Sequence, residues 1–180
     1  MTDVTLKLTY PELSRLIQSE ANKQNINVKG YDIKIDKLVI NSVEGKLRVT
    51  GQIDSKWDAF FDFKAKPVFL RNENKLDLQD IDLHLDANNL IFKGILKLAR
   101  GTIKSKIEKI IEKPLTEQID GLRTTLDTEL SKAPLPHNLQ LQAVTKTLIL
   151  HDLKALDPYF LVELKVEQQI NISFQNIDEA

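Results

Sequence analysis

The residues with the most obvious potential for catalysis or metal binding are three histidines, His84, His137 and His151. None of them has a second ligand-type residue at a spacing known from metal-binding motifs. His84 lies between two leucines of a strand-like stretch, so the alternation of side chains predicts that it points to solvent. The chain contains no cysteine, which excludes disulfides, thiolate zinc sites and a cysteine nucleophile.

An acidic stretch, DIDLHLD, carries Asp80, Asp82 and Asp86. Carboxylates at i and i+2 of a strand can bind a hard cation, although such a pattern is more often a solvated strand face. The sequence also lacks a GxSxG elbow, a glycine-rich phosphate loop and an HExxH helix. We therefore predict a protein that is not an enzyme and that uses no cofactor or metal.

The composition is that of an ordinary globular domain. The 180 residues are 42% hydrophobic and 28% charged, which is enough for a sizeable core in a single domain. The net charge of −1 provides no field that favours nucleic acid, and no nucleic-acid partner is predicted. The first ten residues lack the basic and apolar regions of a signal peptide. The location is left open: we expect the periplasm or envelope if a leader has been removed, and otherwise the cytoplasm.

A strand and a helix are predicted within residues 1–26. Thr9 and Glu12 have the spacing of a capping box, and Pro11 falls in the first turn of the helix that this box begins. We expect the helix to end near Asn25.

From residue 31 to residue 86 the apolar residues alternate, which predicts an antiparallel meander with one buried face. A change of parity before Leu38 indicates a bulge or a short turn, and the stretches SVEGK and RNEN are typical of turns. The segment WDAFFDF places Phe60 on one face of a strand and three aromatic residues on the other: Trp57, Phe61 and Phe63.

Residues 88–132 have the longest helical periodicity, and Pro114 predicts a kink or a boundary between two helices. After the stop KAPLPHN, strands are predicted to resume over residues 138–175. In the first half of the helix, the predicted apolar arc comprises Ile91, Phe92, Ile95, Leu98 and Ala99. Opposite it is a basic stripe at i, i+4, i+7 and i+11, formed by Lys93, Lys97, Arg100 and Lys104.

Two features of this helix allow two interpretations each. Gly94 and Gly101 lie on one side, where they either pack closely against strand backbone or leave a groove open for a ligand. The basic stripe is either a solvated face or a contact with an anionic surface such as phospholipid headgroups.

The segments FKAKPVF and KLDLQDIDLHLDANNLIFKGILKLARGTIKSKIEKIIEKPLTEQIDGLRTTLDTEL carry a family resemblance. They resemble the C-terminal module of an uncharacterised bacterial family that is similar to the tubular lipid-binding superfamily, which includes bactericidal/permeability-increasing-type and synaptotagmin-like domains. The resemblance implies a highly curved antiparallel sheet rolled around a long helix, with acyl chains held in an elongated apolar groove. It also implies an export signal and a preceding module, neither of which this sequence shows.

Together these observations predict one α+β module over residues 1–180, with a curved antiparallel sheet wrapped around a long amphipathic helix and a shorter N-terminal helix. The predicted function is non-catalytic binding or transport of a lipid or another elongated apolar molecule; the alternative is a structural or protein-interaction module with a filled core. A membrane surface, a second copy or a second module are further partners that the sequence allows. The predicted groove is lined by Phe61, Phe63, Ile91, Ile95, Leu98, Ile103, Ile107 and Ile110.

Overall fold

The computed structural model describes residues 1–24, 26–28, 30–70, 75–132 and 139–174. Their helices and strands are, in chain order, β1 (Thr2–Thr9), α1 (Tyr10–Ala21), β2 (Ile26–Val28), β3 (Tyr31–Val43), β4 (Lys46–Asp54), β5 (Ala59–Leu70), β6 (Lys75–Ala87), α2 (Leu90–Ser131), β7 (Leu139–Ala155) and β8 (Tyr159–Phe174). The predicted RNEN turn, most of the KAPLPHN turn and the C-terminal tail lie outside the described residues.

The strands form two antiparallel sheets, one ordered β2-β3-β4-β5-β6 and the other β1-β8-β7. The α+β class, the curled antiparallel sheet, the long helix and the shorter N-terminal helix are confirmed. The division into two sheets is a feature that the periodicity did not predict. Helix α2 packs against β6 of the larger sheet and β7 of the smaller one, while α1 packs against β3 and α2.

The first helix begins as predicted and ends earlier. The Thr9 hydroxyl accepts from the Glu12 N–H, and the Glu12 carboxylate accepts from the Thr9 N–H, which is a complete capping box. The helix ends at Ala21 rather than near Asn25. After it, the N–H groups of Lys23 and Gln24 turn back to the carbonyls three residues before them, and this tighter turn replaces further helix.

The predicted bulge before Leu38 is confirmed, because the register between β3 and β4 shifts between Asp36 and Val39. Lys37 at the shift has a φ of 51°. Gln18 of α1 stabilises the bulge: its side-chain oxygen accepts from the Leu38 N–H at 2.9 Å, and its amide donates to the Ile35 carbonyl at 3.3 Å. A side chain of α1 therefore satisfies backbone groups close to the point where the ladder is interrupted.

A turn and a second bulge of the chain contain residues with left-handed backbone. In SVEGK, Glu44 and Gly45 both have positive φ, and Val43 pairs with Lys46 across them, which is the pattern of a two-residue hairpin turn. In β6, Asp80 has a φ of 50° beside a register shift opposite Lys64 and Lys66. The apolar runs before and after Asp80 are therefore one bulged strand.

Helix α2 is a single helix of 42 residues that continues through Pro114. Asn89 caps it by accepting from the Phe92 N–H at 3.0 Å. None of the described helices has both the length and the hydropathy needed to cross a membrane.

Gly51 of β4 is required by the close approach of an aromatic ring. A Cβ at Gly51 would lie 2.7 Å from Phe61 Cε1 and 3.0 Å from Leu38 Cδ2. Phe61 is only 3% exposed, so the ring has little room to move away. Gly94 of α2 is the opposite case, because nothing lies within 4 Å of the Cβ position there.

We expect Gly51→Ala to destabilise the fold by about 1–3 kcal/mol through overpacking. Gly94→Ala is the matched control and should stabilise it by up to about 1 kcal/mol, since alanine favours an open helix interior. Urea unfolding of both variants checks this; equal effects of the two substitutions would contradict the packing described for Phe61.

Candidate functional site

Five residues of the predicted groove lie in a closed core. Each of them is between 0% and 3% exposed, and they are Phe61, Phe63, Ile103, Ile107 and Ile110. Ile95 packs against the same core and is partly buried. The core that these residues share is therefore filled by side chains.

An aromatic cluster closes the core near the start of α2. The ring of Trp57 lies 5.7 Å from that of Tyr31 and 5.6 Å from that of Phe92, measured between centroids. Phe92 is fully buried. These tilted contacts between large rings leave the helix start packed against the β4–β5 connection.

Ile91 and Leu98, which were predicted to face the sheet, are 70% and 72% exposed. The prediction was wrong about which side of the helix is buried at these two positions. The buried side chains in this part of α2 are Phe92, Leu96, Ala99 and Ile103, whose centre is more than about 100° around the helix from Ile91 and Leu98.

Gly94 and Gly101 are also exposed, and nothing lies within 4 Å of an added Cβ at either of them. The interpretation that they pack closely against strand backbone is wrong. They belong to the outer side of the helix together with Leu98.

The basic stripe divides into two pairs. Lys93 donates to Asp86 at 2.7 Å, and Arg100 donates to the Leu83 carbonyl at 2.6 Å. Both contacts fasten the helix to the end of β6, and the hydrogen bond from Lys93 lowers the pKa of Asp86 below its ordinary value. Lys97 is exposed, and the described part of the chain provides no ion-pair partner for it; Lys104 lies 4.0 Å from Glu108.

Beyond Pro114 the interior opens. A pocket of about 160 Å³ lies between α2, the paired ends of β5 and β6, and β7. Its lining combines five apolar side chains with two polar ones: Phe69, Leu76, Ile119, Leu148 and Leu150, with Thr116 and Asp120. The sequence did not predict this pocket, although Ile119 lies within the helical periodicity of residues 88–132.

A larger and more open depression lies on another side of α2, against α1 and β1. Its apolar floor contains Leu6, Leu8 and Leu16, and charged side chains of Lys7 and Arg15 stand at its edge. It touches α2 at Gln118, so both concavities occur at the same level of the helix.

Between these concavities and the closed core, Glu20 of α1 contacts α2. Glu20 is 3% exposed and accepts from Lys113 Nζ at 2.9 Å and from the Gln24 amide at 3.0 Å. The hydrogen bond from Lys113 lowers the pKa of Glu20 below its ordinary value, although burial acts in the opposite direction. Lys113 itself is 52% exposed in its side chain.

The histidines and aspartates do not assemble into a chemical centre. Among the described residues, no three His, Asp or Glu side chains are grouped so that they could hold a metal ion. His84, Asp80, Asp82 and Asp86 are exposed on β6, and His151 is exposed on β7. His137 lies outside the described residues.

A family model described as "Domain of unknown function (DUF4403)" matches residues 3–172. The chain belongs to this family. Membership confirms the prediction of an uncharacterised family, and it leaves the activity of the DUF4403 chain open. No curated protein matches the sequence.

The fold of the DUF4403 chain is similar to that of a solved structure titled "Crystal structure of lipopolysaccharide binding protein", with a TM-score of 0.34 and 13% sequence identity. The match covers 99% of this chain and 52% of the other, so the chain spans about half the length of that protein.

The Glu20–Lys113 contact predicts an asymmetry between its two partners. Lys113→Met removes the main partner of a buried carboxylate and should destabilise the DUF4403 fold by about 1–3 kcal/mol at neutral pH. Glu20→Gln leaves a lysine that water can reach and should cost about 1 kcal/mol or less. The exposed pair Lys132–Glu129 supplies the control Lys132→Met, with a change below about 0.5 kcal/mol.

The same contact predicts the pH dependence. Because the folded-state pKa of Glu20 is lowered, its contribution is present above the ordinary glutamate value of about 4.3 and is lost as the pH falls through the folded-state value. Urea unfolding at a series of pH values should show a shallower acid loss for Glu20→Gln than for the wild type. An unchanged slope would contradict the assignment.

Proposed function

We propose that this chain binds a lipid or another elongated apolar molecule without catalysing a reaction on it. The observation that carries the proposal is the pocket beyond Pro114, at the seam between α2 and the two sheets. Five of the seven described side chains that line it are aliphatic or aromatic, and a lining of apolar side chains with a small number of polar groups is typical of ligand sites.

The pocket sets the size of the group that enters first. A cavity of about 150 Å³ lined by Leu, Ile and Phe is known to bind benzene, so about 160 Å³ accommodates one end of an acyl chain. The remainder would follow the partly buried residues Ile119, Leu122 and Leu126 of α2. Each Å² of apolar surface removed from water would contribute about 25 cal/mol.

A ligand longer than the pocket would extend along the predicted groove, past Ile103, Ile107 and Ile110. Among the described strands, no backbone ladder joins the larger sheet to the smaller one. The two sheets can therefore separate by giving up side-chain contacts alone, and a ligand would replace those contacts. In this proposal Phe61 and Phe63 line the deep end of the groove.

A second candidate is a structural or protein-interaction module with a filled core. The observation that favours it is the close packing around the first half of α2. Four large side chains there are each at most 2% exposed: Phe63, Phe92, Ile103 and Ile107. In this case the pocket would be a packing defect, and an apolar probe would not saturate it.

Titration with a dansyl-labelled long-chain fatty acid tests the proposal. We expect saturable binding that Ile119→Trp weakens at least tenfold, because the indole fills the pocket. Leu16→Trp is the matched control: it is also a partly buried residue on a helix, it lines the depression beside α1, and it should leave the affinity within about twofold.

Unfolding temperatures of both variants verify that they fold. Absence of saturable binding by the wild type would favour the filled-core module. Equal loss in the two variants, or loss only in Leu16→Trp, would contradict the placement of the ligand.

A further inference from the structure

The outer side of the first half of α2 is apolar and uncovered. Leu90, Ile91 and Leu98 are 85%, 70% and 72% exposed, and at about 100° per residue they lie on one side of the helix with Gly94 and Gly101. We call these five residues the outer face of α2. Because the two glycines have no side chains, the three large residues protrude from it.

The charged residues in this part of α2 have one sign. No acidic residue occurs between Asp86 and Glu108, whereas five basic residues do: Lys93, Lys97, Arg100, Lys104 and Lys106. Asp86 is itself paired with Lys93 at 2.7 Å. The outer face is therefore a hydrophobic ridge on a helix segment whose own charged residues are all basic, although the chain as a whole has a net charge of −1.

A tryptophan and a lysine stand near the N-terminal end of α2. Trp57 contacts Phe92 of α2 and is partly exposed, and Lys56 Nζ lies 5.1 Å above the Trp57 ring. Tryptophan and lysine are the residues that proteins place at the boundary between headgroups and water. Both lie next to Asn88 and Asn89, at the end of the helix where the outer face begins.

We infer that the outer face of α2 docks on an anionic lipid bilayer surface. Leu90, Ile91 and Leu98 enter the headgroup region, while Lys97 and Lys104 remain level with the phosphates. The opposite side of the helix is fixed to the sheets by Phe92 and Leu96, so the helix lies along the surface and the rest of the domain stays above it.

Charge complementarity favours an anionic bilayer as the partner of the outer face. A second copy docked through the same face would bring the basic residues of two helices together, which opposes association. An anionic bilayer supplies both an apolar layer for the ridge and negative charge for the lysines. The inference goes beyond the proposed function, because none of the pocket residues belongs to the outer face.

Co-sedimentation with vesicles tests the inference, using phosphatidylcholine alone and phosphatidylcholine mixed with phosphatidylserine. We expect the wild type to bind the anionic vesicles, with weaker binding at high salt. Leu98→Ser should reduce the partition coefficient about tenfold, and Lys97→Glu by a similar factor.

Two controls carry the same substitutions elsewhere. Val39→Ser changes an apolar residue that is 56% exposed on β3, and Lys66→Glu changes an exposed lysine on β5. Both should bind like the wild type. Equal binding to the two kinds of vesicle, no binding to either, or identical behaviour of Leu98→Ser and Val39→Ser would overturn the inference. A wild-type dimer that Leu98→Ser dissociates would also overturn it, since a second copy would then cover the face.

Discussion

Burial of one side of α2 between β6 and β7 is the interaction on which the remainder of the structure depends. The larger and the smaller sheet are separate hydrogen-bonded units within the described chain, and this helix packs against both of them in addition to the direct contact of β5 with β7. Polar side chains of α2 supplement the apolar contact at its far end: Asp127 accepts from the Thr145 N–H at 2.6 Å and Ser131 from the Ala143 N–H at 3.1 Å. Displacing α2 would therefore expose both sheets together.

Because a single helix serves two sheets, its two halves meet different surroundings. Before Pro114 one side of α2 is buried in the closed core, and the opposite side is exposed and forms the hydrophobic ridge. After Pro114 the apolar residues Ile119, Leu122 and Leu126 are covered only in part, which produces the pocket. The Glu20–Lys113 contact lies at the boundary between the closed core and the pocket, because it joins α1 to α2 immediately before Pro114.

Local signals account for what could be predicted from the sequence. The capping box of Thr9 and Glu12, the turn at Glu44 and Gly45, and the parity change before Leu38 each depend on residues close in the chain. The helical phase around Ile91 and Leu98 could not be predicted, because apolar residues occupy more than half of the circumference there and two phases bury similar amounts. Tertiary contacts decide between them: Lys93 with Asp86, Arg100 with the Leu83 carbonyl, and Phe92 with Trp57. The pocket could not be predicted for a related reason. Its width depends on the distance between the two sheets, and the periodicity of the sequence contains no information about that distance.

The most direct test of the central claim is photo-crosslinking with a diazirine-bearing fatty acid, followed by mass-spectrometric mapping of the labelled residues. Ligand binding at the seam predicts saturable labelling that unlabelled fatty acid displaces, concentrated on Ile119 and neighbouring residues of α2 and on Leu148–Leu150 of β7. Labelling that does not saturate, or that is confined to Leu6–Leu16 or to the outer face of α2, would contradict it.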